Sequence, residues 1–108
     1  MFSKKNLLSR QEIIFLTSQK ISPSQGKYFG LIYSPSEVAL KFGVIISKKI
    51  SSKAVTRNKI KRLLYLAIKN KFFFNKGLFL FLAKKNSADG NLDDFEKEVA
   101  GFKNKLPK

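Results

Sequence analysis

The stretch KKISSKAVTRNKIKR places Lys48, Lys49, Lys53, Arg57, Lys59, Lys61 and Arg62 close together with no carboxylate among them. Such a segment is suited to one kind of chemistry, the holding of phosphates. Lysines act as compact point charges, while Arg57 and Arg62 can fork onto a phosphate or a base edge. Asn58 carries both donor and acceptor, so it could bond a nucleic acid, hold a loop carbonyl or a hydrated metal ion, or simply cap a helix. Tyr65 adds a planar ring able to stack on a base or ribose. Hydrolytic chemistry by the protein itself lacks its parts. The chain has no His and no Cys, and no carboxylate pair lies outside its C-terminal stretch. A protein-only metal nuclease needs such ligands converging on one or two ions. No residue is therefore assigned as catalytic, and no metal site is assigned to the protein alone.

Composition points the same way. The chain has 108 residues, 44% of them hydrophobic and eleven of them Phe, enough for one packed core and a single domain over 1–108. Its net charge of +15 far exceeds what solubility requires and calls for a polyanionic partner. The charge is also polarised. Five of the seven acids, Asp89, Asp93, Asp94, Glu96 and Glu98, share one window, and none lies between Val38 and Ala88. A polarised domain has a binding face. The longest apolar run, GLFLFLA, is far too short to span a bilayer, and MFSKKNLLSRQEII does not read as a secretory signal. A cytoplasmic nucleic-acid-binding domain is expected, with neither a membrane nor a small-molecule substrate as partner.

The elements that must position these residues read as α-β-β-α-β-α. SRQEIIFLTSQK opens with Ser9 and has Glu12 three residues later, the pattern of a capping box. KYFGLIY and VALKFGVIIS read as strands separated by the turn SPSE, and GLFLFLAKK reads as a buried strand. FFF at 72–74 reads as core and turn packing. In LDDFEKEVAGFKNKL, Leu92, Phe95, Val99, Phe102 and Leu106 form one helical stripe. Its acids come first and its lysines last, which suits the helix dipole better than it suggests a metal site. The best helix is TRNKIKRLLYLAIKN. At about 100° per residue, Ile60, Leu63, Leu64, Ala67 and Ile68 face the core. Arg57, Asn58, Lys61, Arg62, Tyr65 and Lys69 fall opposite, and Lys59 lies near the edge. No acid offers these cations i,i+4 pairing, so the stripe reads as a binding face. Lys48, Lys49 and Lys53 precede the helix and stand where its free N–H groups already favour phosphate.

From Phe42 to Leu64 the chain closely resembles the signature of the protein subunit of bacterial ribonuclease P. The matching pieces are an apolar strand ending in Ser47-Lys48-Lys49, the linker Lys53-Ala54-Val55, then Arg57-Asn58-Lys59 and Lys61-Arg62. Lys59 stands where the family's triplet has a second Arg, and Tyr65 where the family often has another Arg.

The resemblance implies an α+β (α/β) sandwich of about four strands and three helices in the order α-β-β-(β)-α-β-α, with an unusual left-handed βαβ crossover. A right-handed hand would be the default from pattern alone. It also implies the partners: a large catalytic RNA that, with Mg²⁺ bound mainly by that RNA, removes the 5′ leader of precursor tRNA. The protein subunit would assist without cleaving by itself. A cleft between the sheet and the first helix would hold the leader, and Phe15, Phe29 and Tyr33 are the available stacking residues. For Phe29, plain core packing is the alternative. Without the ordered signature, a ribosomal or nucleoid protein would explain the charge equally well.

Overall fold

The computed structural model describes residues 6–19, 23–36, 40–72 and 76–105. Ser9 caps the first helix as the sequence suggests. Its hydroxyl accepts from the Glu12 amide at 3.2 Å, and the Glu12 carboxylate accepts from the Ser9 amide at 2.8 Å. The helix α1 then runs Arg10–Ser18, followed by strands β1 (Ser24–Gln25), β2 (Phe29–Ser34) and β3 (Leu40–Ile45). The long helix α2 (Ala54–Lys71), strand β4 (Gly77–Ala83), a 3-10 turn (Lys85–Asp89) and α3 (Leu92–Lys105) complete the order. Among the described residues three strands thus precede α2, the first only two residues long. Part of the SPSE turn, the second and third residues of the FFF run and Leu106 lie outside the described residues.

The sheet order is β1-β2-β4-β3. Although β2 and β3 are consecutive in sequence, β4 lies between them. It runs antiparallel to β2, with Phe29 opposite Ala83 and Ser34 opposite Leu78. It runs parallel to β3, with Leu40 opposite Gly77 and Ile45 opposite Leu82. Parallel neighbours need a long connection, and α2 is that connection.

Strand alternation sorts the core onto the two faces of the sheet. Phe29, Leu31, Phe42, Phe79 and Phe81 point to one face. There they pack with Ile60, Leu64, Ala67 and Ile68 of α2, with Phe72, and with Phe95, Val99 and Phe102 of α3. The rings meet mostly edge to face, for example Phe29 on Phe95 at 4.9 Å and Phe72 on Phe79 at 5.0 Å between centroids. Such geometry adds to the burial energy of each ring. Ile32 and Leu80 point to the other face, where Leu8 and Leu16 cover them beside half-buried Ile13, Leu78 and Leu82. α1 is pinned there by an ion pair between Lys41 and Glu12 at 3.0 Å.

Candidate nucleic-acid interface

The loop from β3 to α2 is built around several anchors. The Ile50 amide donates to the Ser47 carbonyl at 3.0 Å, closing a turn with Lys48 and Lys49 at its two central corners. Ile50 itself packs against the main core. The Lys53 amide then donates to the Ser51 hydroxyl at 3.2 Å. Finally, Nη1 of Arg57 donates to the Ser51 carbonyl at 2.8 Å, reaching back from the first turn of α2. Between these anchors Lys48, Lys49 and Lys53 stand exposed. Lys53 is also the N-cap of α2, which has no side-chain cap and no acid in its first turn. The leading amides of the helix therefore face the same solvent as the three lysines, an arrangement favourable to anions.

Along α2 the expected core stripe is observed, with Ile60, Leu64, Ala67 and Ile68 buried and Leu63 packed beside them. Asn58, Lys59, Lys61, Arg62 and Lys69 are exposed. Two residues assigned to the outer face lie nearer the core margin. Arg57 is half-buried because its guanidinium is folded onto Ser51. Tyr65 is half-buried against the main core, and burial pushes its hydroxyl pKa up from the ordinary value of 10.0. Its ring meets the Lys61 ammonium at 5.9 Å, so a base could reach only part of it. Conversely, the outer face also carries two apolar side chains, Val55, 81% exposed, and Leu66, 40% exposed, which a reading by charge alone does not mark.

Asn58 does not cap the helix. α2 begins at Ala54, so Asn58 sits in its second turn, exposed and with no side-chain hydrogen bond among the described residues.

The aromatic trio expected to line a cleft does not come together. Phe29 is fully buried between Phe81 and Phe95, so core packing is its role and it presents no free ring face. Tyr33 shares its side of the sheet, stacked on Phe79 at 5.0 Å, and therefore points away from α1. Phe15 alone is open, 51% exposed on α1 beside exposed Ile14. On the α1 side the sheet presents instead the cross-strand row Ile45, Leu82 and Gly30, in which Ile45 is exposed and Leu82 half-buried. Residue parity in LFLFL carried that signal: if the Phe rings fill one face, the Leu side chains must line the other.

The acids serve separate structural ends. The Glu98 carboxylate accepts from three successive amides, Lys27 at 2.6 Å, Tyr28 at 3.0 Å and Phe29 at 2.7 Å, and so ties α3 to the entry of β2. A Cβ on Gly26 would fall 2.5 Å from that carboxyl carbon, so any larger residue there would have to displace the carboxylate from its present position on these amides. Asp94 exchanges capping bonds with Asn91 at the start of α3. Glu96 accepts from Asn70, and Asp93 pairs with Lys97. Among the described residues no group of three or more His, Cys, Asp or Glu could hold a metal ion.

The family model for ribonuclease P matches residues 1–106. The chain belongs to that family. Solved structures agree on the fold. The ribonuclease P protein of Thermotoga maritima is 13% identical, with a TM-score of 0.81 over 97% of this chain and 100% of that one. The Staphylococcus aureus ribonuclease P protein is 18% identical, with a TM-score of 0.76 over 92% of each chain. A second structure of the Staphylococcus aureus protein, also 18% identical, gives a TM-score of 0.75 over 100% of this chain and 97% of that one. No curated protein matches the chain. Membership makes the chain a ribonuclease P protein subunit, part of an endoribonuclease complex, and implies ribonuclease P RNA as its partner.

Proposed function

We propose that the face formed by the loop 46–53 and the outer side of α2 binds the ribonuclease P RNA. On this reading the chain assists Mg²⁺-dependent removal of the 5′ leader from precursor tRNA in the cytoplasm. The observation that carries the proposal is the exposed set Lys48, Lys49, Lys53, Asn58, Lys59, Lys61 and Arg62, held on one ordered loop and one helix without an acid among them. A surface of this kind is costly in self-repulsion and is relieved by a phosphate backbone. Catalysis belongs to the RNA. On this reading the chain's cations lower the charge that RNA and substrate bring together. The 5′ leader is assigned to the α1 side of the sheet, where Phe15, Ile14 and Ile45 are exposed. An exposed Phe ring can stack on any base, and one such contact is worth about 1–3 kcal/mol.

The test is a reconstitution. Protein, a bacterial ribonuclease P RNA and precursor tRNA are combined at low Mg²⁺, and cleavage is compared with RNA alone and with protein alone. The mixture should cleave faster than RNA alone, and the protein alone should not cleave. Cleavage by RNA-free protein would place the chemistry on the chain and overturn the proposal.

A further inference from the structure

We propose that Arg57 acts as a positioning residue, and that much of its contribution to RNA binding passes through the loop lysines it organises. The inference rests on the RNA-binding reading above and goes beyond it, because an arginine in a basic motif is ordinarily taken as a direct phosphate contact.

The geometry carries it. Residues 46–53 cross from the end of β3 to the start of α2 with no regular structure. Among the described residues four bonds hold them: the Ile50 amide to the Ser47 carbonyl at 3.0 Å, the Lys53 amide to the Ser51 hydroxyl at 3.2 Å, the Arg57 amide to the Lys53 carbonyl at 3.2 Å, and the Arg57 guanidinium to the Ser51 carbonyl at 2.8 Å. Only the last ties the loop to a side chain of α2. It is also the one with a charged donor, and such bonds are roughly twice as strong as neutral ones. Ser51 is engaged twice, its hydroxyl by the Lys53 amide and its carbonyl by Arg57. Releasing Arg57 therefore loosens the segment on which Lys49 and Lys53 are spaced.

The guanidinium has five N–H donors and uses one nitrogen on Ser51. The others remain for phosphate, so one side chain holds the loop and can meet the RNA together. A lysine has one compact ammonium and cannot fork in this way.

Two measurements test the proposal. In the first, affinity for a ribonuclease P RNA transcript is measured against salt for wild type, Arg57→Met, Arg57→Lys, the triple variant Lys48→Met/Lys49→Met/Lys53→Met, and the triple variant combined with Arg57→Met. Each independent phosphate contact accounts for roughly one counterion in the slope. Arg57→Met should cost about two counterions or more in the wild-type chain but no more than about one in the triple background. Arg57→Lys should fall between wild type and Arg57→Met. An equal loss of about one counterion in both backgrounds would make Arg57 a simple phosphate contact. Full recovery by Arg57→Lys would show that charge alone suffices. Either result overturns the inference while leaving the RNA face intact. A triple variant with an unchanged slope overturns the RNA face itself, and this inference with it.

The second measurement needs no RNA. Amide exchange at Ile50 and Lys53 in the free protein should quicken about tenfold or more in Arg57→Met while the α2 core amides stay protected. Unchanged loop exchange would overturn the clamp even if binding fell.

Discussion

Asn58 illustrates what a single position gains from being placed. The sequence allows a cap or a contact, but the start of α2 at Ala54 removes the first and leaves an exposed side-chain amide with no internal hydrogen bond among the described residues. Asparagine is a poorer helix former than alanine by roughly half a kcal/mol or slightly more. Asn58→Ala should therefore leave the melting temperature unchanged or raise it slightly, whereas losing a real cap would lower stability by about 1 kcal/mol. Affinity for ribonuclease P RNA should fall by about tenfold, the scale of one hydrogen bond to a charged group. Thermal melts and RNA titration of the same preparation decide the matter. A lower melting temperature with unchanged affinity per folded molecule would return Asn58 to a structural role. Tyr33 and Phe29 carry the opposite lesson. Both looked available from residue type alone, and strand parity consigned both to the α2 and α3 face.

At the scale of elements, what was legible in the sequence was what is local. The capping box at Ser9 and Glu12 and the core stripe of α2 depend on residues three or four apart, and both are observed. The sheet order was not legible. Placing β4 between β2 and β3 is decided by pairing across the whole chain, and no turn signal records it. β1 spans two residues, too few to show alternation. Nor could the sequence show that Glu98 serves the amides of Lys27, Tyr28 and Phe29 rather than only the dipole of its own helix. The docking of α1 offers a test at this scale. Partial burial pushes the Glu12 carboxyl up, but hydrogen bonds from Ser9 and the Lys41 ammonium outweigh it and hold the group below its ordinary value of 4.5. A carboxyl depressed by folding stabilises the folded chain above its unfolded pKa, and that stabilisation is lost as pH falls through the folded value. The melting temperature of wild type should therefore drop more steeply below about pH 4.5 than that of Glu12→Gln, which has no such group to protonate. Parallel curves for the two proteins would show that the Glu12 contacts add nothing to the docking of α1.

For the whole molecule, the governing quantity is a net charge of +15 distributed with a direction. The acids that could have neutralised the basic face are engaged elsewhere: Glu98 on the β2 amides, Asp94 at the start of α3, Asp93 on Lys97 and Glu96 on Asn70 near the end of α2. Glu12 is committed to Lys41 on the α1 side. Among the described residues no acid pairs with the loop lysines or with the cations in the first turns of α2. Self-repulsion of this kind opposes the compact state and is screened by salt, with a Debye length of about 10 Å at 0.1 M. The free protein should therefore melt at a higher temperature as sodium chloride is raised from about 0.02 M to about 0.3 M. Chloride is chosen because sulfate and phosphate would also strengthen apolar burial and could bind the face directly. Replacing Lys48, Lys49 and Lys53 together by Gln should flatten that dependence by removing part of the repulsion at its source. With ribonuclease P RNA bound, the sign should reverse. The complex gains stability by mass action from its RNA, and salt weakens that association by returning counterions to the phosphates. A free protein that instead loses stability with added chloride would mean that internal ion pairs outweigh the repulsion, and that the uncompensated face is not what limits this fold without its RNA.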